Sequence, residues 1–279
     1  MINFNGALVA EADIAVHQNR AFLYGDAVFE TIKILDGKML FAEDHYFRLM
    51  ASMRILRMEI PMLFTQEYME EQVGQLVAAL PAGQSHRVRL SFYRKPGGRY
   101  LPTDNNAEFI ITGEPLPNAL YSFSDALYEA ELFRDYYVTK QLLSTLKTTN
   151  KAVHITAAIF ANENGYSNCL LVNDDKNVIE ATQGNLFMLT GNRLITPPLA
   201  DGCLNGVMRK QILELAKKVE GIEVEEKSIS PFDLQKADEL FITNVIMGVQ
   251  PITKYRKKEF TTAFSAELVK RLNAKIRFS

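Results

Sequence analysis

The run Val28-Phe29-Glu30-Thr31-Ile32-Lys33-Ile34-Leu35 alternates in character along its length and ends at Asp36-Gly37, a dipeptide that favours a tight hairpin turn into Lys38-Met39-Leu40-Phe41. Period-two alternation commits these residues to a half-buried strand, so the first part of the chain must contain a sheet. A strand, turn and strand around Asn5-Gly6 belong to the same region. Two helices are expected next, from about Ala42 to Leu56, with Leu49, Met53 and Leu56 on one face and Arg48 sharing another with Ser52, and from about Thr65 to Leu80, with Thr65 as N-cap. Val88 to Tyr93 and Glu108 to Thr112 then read as strands flanking the Gly-rich loop Pro96-Gly97-Gly98-Arg99-Tyr100.

Gly113-Glu114-Pro115-Leu116-Pro117-Asn118 has the composition of a linker. The expected organisation is therefore α+β in two domains: residues 1–114 as a small N-terminal α+β domain, 115–120 as the linker, and 121–279 as a larger C-terminal domain. In that second part Cys169 to Asn173, Val178 to Ala181, Asn185 to Leu189 and Arg193 to Thr196 read as short strands. Val207 to Val219 reads as an amphipathic helix, followed by a helix around Pro231 to Ala237, the strand Glu239 to Thr243 and a terminal helix from Thr261 to Ile276.

Lys147 stands out within Ser144-Thr145-Leu146-Lys147-Thr148-Thr149-Asn150-Lys151. Its approach, Tyr136-Tyr137-Val138 and Leu142-Leu143, reads as buried strand and loop, and Ala152 to Phe160 has an apolar face at helical spacing. An ammonium just before a helix is poorly placed against the positive end of the dipole, which lowers its pKa and leaves the amine available for imine formation. Three further features follow in order: Glu180 after a strand, the helix entry Asn205-Gly206-Val207-Met208, and the early helical Arg48. An amine, an acid for a ring nitrogen, and donors for a phosphate are what a pyridoxal phosphate site requires.

What the chain lacks narrows the field. A net charge of −2 gives no reason to expect nucleic acid or an anionic membrane. The two cysteines cannot form a disulfide framework, the N-terminus has no basic region of a secretory signal, and no apolar run nears the ~20 residues that span a bilayer. A cytoplasmic protein is expected. His17, His45, His86 and His154 show no metal-ligand spacing, so no metal is assigned, and no Gly-rich mononucleotide loop is present.

The segments Tyr24 to Glu30, His45-Tyr46-Phe47-Arg48-Leu49, Leu146 to Asn150, Glu180-Ala181-Thr182-Gln183-Gly184-Asn185-Leu186-Phe187, and Thr196-Pro197-Pro198 through Asn205 to Arg209 resemble the class IV (fold-type IV) pyridoxal phosphate enzymes, the family of branched-chain and D-amino acid aminotransferases and 4-amino-4-deoxychorismate lyase. The resemblance runs in family order from about residue 2 to about residue 255. It implies a D-amino acid aminotransferase-like fold, a small α/β sandwich-like domain beside a larger one with a β-barrel-like core that carries the cofactor lysine. It implies that pyridoxal 5'-phosphate is held as an imine on Lys147, that Glu180 pairs with its ring nitrogen, and that Arg48, Gly206, Val207, Met208 and the Asn244, Val245 and Ile246 stretch hold its phosphate. It further implies that Asn150 supports the cofactor's phenolic oxygen or caps the following helix, that His45 is structural, and that the protein is a homodimer.

Two reactions stay open on the sequence. Arg94 matches the place where D-amino acid aminotransferases bind a substrate carboxylate, but Phe29 replaces a tyrosine nearby. Arg99 serves a dicarboxylate substrate or faces water beside the loop. Pro96 to Tyr100 and Asn244 to Pro251 look more like the aminodeoxychorismate lyase subgroup, whereas Glu30 stands where that subgroup is expected to have threonine. The expected partners are an amino acid and a 2-oxo acid, or aminodeoxychorismate eliminated to pyruvate and 4-aminobenzoate. An aminotransferase acting on branched-chain or similar amino acids is the reading preferred.

Overall fold

The computed structural model describes residues 1–278, and the chain forms two compact units, Met1–Leu120 with Lys147–Asn150, and Tyr121–Leu146 with Lys151 onward. The first unit carries β1 (Ile2–Phe4), β2 (Ala7–Val9), α1 (Arg20–Tyr24), β3 (Ala27–Leu35), β4 (Lys38–Met39), α2 (Ala42–Ile55), α3 (Gln66–Ala78), β5 (Ser85–Arg94) and β6 (Ala107–Pro115). Its six strands run β2-β1-β6-β5-β3-β4, every pair antiparallel. Alternation puts Val28, Ile32 and Ile34 on one face, where Leu49 and Met53 of α2 and Val73 and Leu76 of α3 close over them. Each of those side chains gains roughly 1.5–3 kcal/mol from leaving water. The rings of Phe64, Phe92 and Phe109 add edge contacts, with centroids 4.7 and 5.5 Å from Phe64.

Local chemistry sets the element ends. The Thr65 hydroxyl accepts from the Tyr68 amide at 3.2 Å, as expected of an N-cap. α2 has no side-chain cap, and Glu43 and Asp44 in its first turn answer the helix dipole instead. Within the Gly113 to Asn118 stretch, Gly113 to Pro115 complete β6, the Leu116 amide donates to the Ser85 carbonyl, and the Ser85 hydroxyl donates to the Asn118 carbonyl.

The second unit carries β7 (Glu129–Leu132), α4 (Ala152–Glu163), β8 (Asn168–Val172), β9 (Val178–Ala181), β10 (Gly184–Thr190), β11 (Arg193–Thr196), α5 (Val207–Ala216), β12 (Glu223–Glu226), β13 (Glu239–Asn244), β14 (Gly248–Ile252), β15 (Lys254–Tyr255), β16 (Lys258–Glu259) and α6 (Ala263–Arg277). Its sheet runs β12-β11-β10-β9-β8-β7-β15-β16 and branches at β10. There β13 takes one edge while β9 and β11 share the other at its two ends. Phe187 and Phe241 face each other across the β10–β13 pair, rings stacked 5.2 Å apart.

Two expectations fail here. The helix around Pro231 to Ala237 is a single turn, Leu234–Lys236. Tyr136, Tyr137, Leu142 and Leu143 are exposed, so only Val138 and Leu146 make the approach to Lys147 apolar and buried. α4 has the expected apolar face, with Ala157 and Ala161 buried and Val153 and Phe160 packed beside them, and it also carries Ile155 and Ile159 in water.

Candidate active site

Lys147 lies in an extended segment rather than at a helix end. Its carbonyl accepts from the Phe29 amide at 2.9 Å, Thr148 bridges Val28, and the Thr149 amide donates to the Ala27 carbonyl at 3.1 Å. These bonds add the segment to the edge of β3, which β4 covers only at Ile34 and Leu35. α4 begins at Ala152 with Lys151 as its N-cap residue, so the dipole argument made for Lys147 belongs to Lys151. Lys147 is half-buried, with Nζ 4.4 Å from the Phe29 ring centroid. The Arg89 guanidinium lies over the same ring at 3.6 Å, and burial first, then Arg87, lowers its pKa. An amine and a guanidinium thus share one aromatic surface, where a guanidinium is well suited to a carboxylate.

One strand position further, Glu30 is 1% exposed and meets His45 Nδ1 at 2.6 Å and two nitrogens of Arg48, Nε at 2.8 Å and Nη2. Burial alone would raise the Glu30 carboxyl; the Arg48 charge and the His45 contacts reverse this and hold it at about 2. Burial pushes His45 down despite the Glu30 hydrogen bond, with Arg48 and Lys147 adding to the effect. His45 is structural in this sense, and Arg48 spends one edge of its fork on Glu30. Lys33, further along β3, is an amine brought within reach of neutral pH, to about 8, by burial.

Arg94 does not reach outward. Its Nε donates to Asp26 at 2.9 Å, Nη1 to the Arg57 carbonyl and Asn105 Oδ1, and Nη2 to the Leu56 carbonyl. A substrate carboxylate would have to displace these partners, so the geometry makes Arg94 a tie between β5 and the turn after α2. Asp26 also accepts from Arg20, whose Nη1 holds the carbonyls of Gly97 and Arg99. The Arg99 side chain is exposed on that loop. Asn150 does not cap α4; its Nδ2 donates to the Gly25 carbonyl at 3.2 Å. Gly25 has φ +64, and a Cβ there would fall 2.1 Å from Asn150 Oδ1, so this approach needs glycine twice over.

In the second unit Glu180, 3% exposed in β9, accepts from His154 Nε2 at 2.9 Å and from the Leu204 amide at 2.8 Å. The Leu204 carbonyl in turn accepts from Asn185 Nδ2 at 2.8 Å. Gly206 follows as the N-cap of α5, with no side-chain cap, and a Cβ there would fall 2.0 Å from Asn185 Oδ1. The segment from Cys203 to Gly206 is therefore fastened by Glu180 at one end and pressed on Asn185 at the other. It delivers the first amides of α5, those of Val207 and Met208, with a dipole that favours an anion. Cys203 beside it is held neutral, up to about 12, by burial first and by Glu180 next.

Of the Asn244, Val245 and Ile246 group, the Asn244 side chain donates to the Gln183 carbonyl and accepts from the Ile246 and Met247 amides, and the Val245 carbonyl accepts from Tyr121. Those groups build the turn itself. The residue missed is Thr243: it pairs in register with Asn185, is 1% exposed, and its hydroxyl has no hydrogen-bond partner. A buried donor left open beside the residue that touches Gly206 fits a phosphate. The alternation in Phe241-Ile242-Thr243 carries the only signal that could have found it.

The second unit thus carries a buried acid and an uncapped helix end that suits an anion, and the first unit a lysine on a sheet edge. Comparison with known proteins then fixes the family: the model for amino-transferase class IV matches residues 27–255, and the chain belongs to that family. A putative branched-chain-amino-acid aminotransferase of Methanocaldococcus jannaschii is 29% identical over 99% of this chain and 95% of its own length. Among solved structures, a branched-chain aminotransferase from Thermoproteus uzoniensis, determined with norvaline, has TM-score 0.86 at 25% identity, covering 97% of this chain and 92% of its own. A putative 4-amino-4-deoxychorismate lyase of Legionella pneumophila has TM-score 0.83 at 25% identity, covering 97% of each chain. The expected two-part, fold-type IV architecture is thereby met. Among the described residues no helix is long and apolar enough to cross a membrane.

Proposed function

We propose that this protein is a pyridoxal 5'-phosphate-dependent aminotransferase that moves the amino group of a branched-chain or similar amino acid to a 2-oxo acid. The observation that carries the cofactor reading is the Cys203–Gly206 segment, which joins a buried carboxylate to an uncapped helix end through one hydrogen bond at each side. Glu180 would take the ring nitrogen, Val207, Met208, Thr243 and Arg48 the phosphate, Lys147 the aldehyde carbon, and Asn150 the region near the phenolic oxygen. When bound, the cofactor supplies a protonated ring that draws electrons from the substrate α-carbon.

The chain's own groups do the rest. Glu180 would keep that ring charged, and Lys147 Nζ would take the proton from the substrate α-carbon and deliver it to the carbon that carried the cofactor's aldehyde. Arg89, lying on Phe29, would bind the substrate carboxylate, with exposed Arg99 free to approach from its loop; Arg94 would serve only by giving up its internal partners. Glu30 favours transfer over elimination: where the lyase subgroup is expected to carry a hydroxyl, this chain has a carboxylate locked to Arg48 and His45. A homodimer in the cytoplasm is part of the reading, supported by the exposed Ile155 and Ile159 on α4 and by two free, buried cysteines.

The deciding assay compares glutamate formed from leucine and 2-oxoglutarate with pyruvate released from aminodeoxychorismate. Glutamate formation is expected; pyruvate released without any 2-oxo acid would overturn the transfer reading. Borohydride reduction followed by peptide mapping should label Lys147 and not Lys33 or Lys140, and Lys147→Ala should lose both label and turnover.

A further inference from the structure

His154 is the histidine in contact with Glu180, and the roles assigned so far leave it without a task. It lies in the first turn of α4, comes from a different element than the Leu204 amide, and places Nε2 2.9 Å from one Glu180 oxygen while Leu204 holds the other. A carboxylate has about four acceptor sites. Two are filled here by donors from separate elements, which fixes the carboxylate plane and leaves acceptor capacity for a third donor. We propose that His154 is a positioning residue, a neutral imidazole that donates Nε2–H to Glu180 and aims that carboxylate at the ring nitrogen of the cofactor without cancelling its charge.

The first turn of a helix is the positive end of its dipole, where an imidazolium is disfavoured. The Glu180 oxygen is an acceptor, so the proton resides on Nε2 and the tautomer is set by the contact. A cationic residue in the same place would compete with the ring nitrogen for the same negative charge. Glu30 shows the contrast, because there Arg48 supplies that full positive charge. His154 itself is partly exposed, with its side chain at 16%, while Glu180 is at 4%, so the orienting group sits at the rim and the oriented group inside.

This inference rests on the cofactor reading of Glu180, and the test separates the two. Wild type, His154→Phe and His154→Gln are each reconstituted with pyridoxal phosphate and with the analogue whose ring nitrogen is replaced by carbon. Cofactor dissociation constants come from absorbance titration, and the rate of the half-reaction with leucine is followed with the natural cofactor. His154→Phe keeps the ring volume and removes the donor; it should weaken natural cofactor binding about tenfold and slow the half-reaction by about 10–100-fold, the usual cost of losing a partner that orients a ligand group. His154→Gln, which retains an N–H donor, should recover most of both. With the carbon analogue, wild type and His154→Phe should bind alike. In the cofactor-free protein the His154 ring 15N shifts should report a neutral imidazole protonated at Nε2. Equal behaviour of wild type and His154→Phe with the natural cofactor, or an equal loss with the analogue, overturns the positioning role alone. Failure of the wild type to bind pyridoxal phosphate at all overturns the cofactor reading and this inference with it.

Discussion

Glu30 and Glu180 are both buried carboxylates on strands, and each accepts from a histidine, at 2.6 and 2.9 Å. Their other partners differ. Glu30 also takes two nitrogens of Arg48, whereas Glu180 takes one main-chain amide, that of Leu204. A guanidinium satisfies charge and geometry together, so Glu30 is complete within the chain and works as a fastening between β3 and α2. An amide carries no charge, and an imidazole in the neutral form proposed for His154 carries none either, so the two would satisfy geometry and leave the charge of Glu180 uncompensated. A buried anion in that condition is an invitation to a cation, and the ring nitrogen of the proposed cofactor is one.

If this contrast is right, the largest effect belongs to Arg48. Arg48→Ala strands Glu30 in the core and should cost about 3–5 kcal/mol, the range for breaking a buried pair from one side, read by urea unfolding of the cofactor-free protein. A loss under about 1 kcal/mol would erase the distinction between the two acids. The pH dependence sharpens it. The folded Glu30 carboxyl stands at about 2 against an ordinary 4.5, so the native state binds fewer protons across that window. The stabilisation is full above pH 4.5 and disappears as pH falls towards 2, roughly 3 kcal/mol at 1.36 kcal/mol per unit. Thermal melts through that window should fall more steeply for wild type than for Glu30→Gln, and parallel slopes would count against the pair.

Smaller is the effect of adding one carbon beside Glu180's segment. Gly206→Ala places Cβ 2.0 Å from Asn185 Oδ1, and Asn185 holds the Leu204 carbonyl. Overpacking of this kind costs about 1–3 kcal/mol. The shift should also weaken phosphate-dependent cofactor binding, checked by comparing pyridoxal phosphate with pyridoxal. If both bind as to wild type, the helix entry is not the phosphate site.

The same contrast explains what was legible in the chain. Alternation in Val28 to Leu35, the Asp36-Gly37 turn and the helical stripe of Leu49 and Met53 are local signals, and those elements stand where expected. Partners are not local. Arg48 and Arg94 read as donors available to ligands, and only tertiary contact shows Arg48 shared with Glu30 and Arg94 committed to Asp26, Asn105 and two carbonyls. Glu239 is a third case: it caps α6 through the amides of Phe264 and Ser265, a role that no spacing announces. The Lys147 segment read as the lead-in to a helix because Ala152 follows closely; its pairing with Ala27 to Phe29, more than a hundred residues away in sequence, leaves no mark on period or composition.

The finest discrimination comes from the pair of isosteric changes at the two acids. In Glu180→Gln the amide oxygen still accepts from Leu204, and the new NH2 group meets His154, whose ring answers by moving its proton to Nδ1 and accepting at Nε2. Every contact survives, so the unfolding free energy should change by less than about 1 kcal/mol, near the worth of one ordinary hydrogen bond. Glu30→Gln has no such escape, because Arg48 cannot become an acceptor and its charge is left inside. The stability order should therefore be wild type and Glu180→Gln together, Glu30→Gln well below. The order of chemistry should be the reverse at Glu180: an uncharged amide cannot keep a ring nitrogen protonated, so the leucine half-reaction should slow strongly while the fold stands. Should Glu180→Gln instead unfold as readily as Glu30→Gln and transfer amino groups at the normal rate, the two carboxylates have been assigned to the wrong tasks.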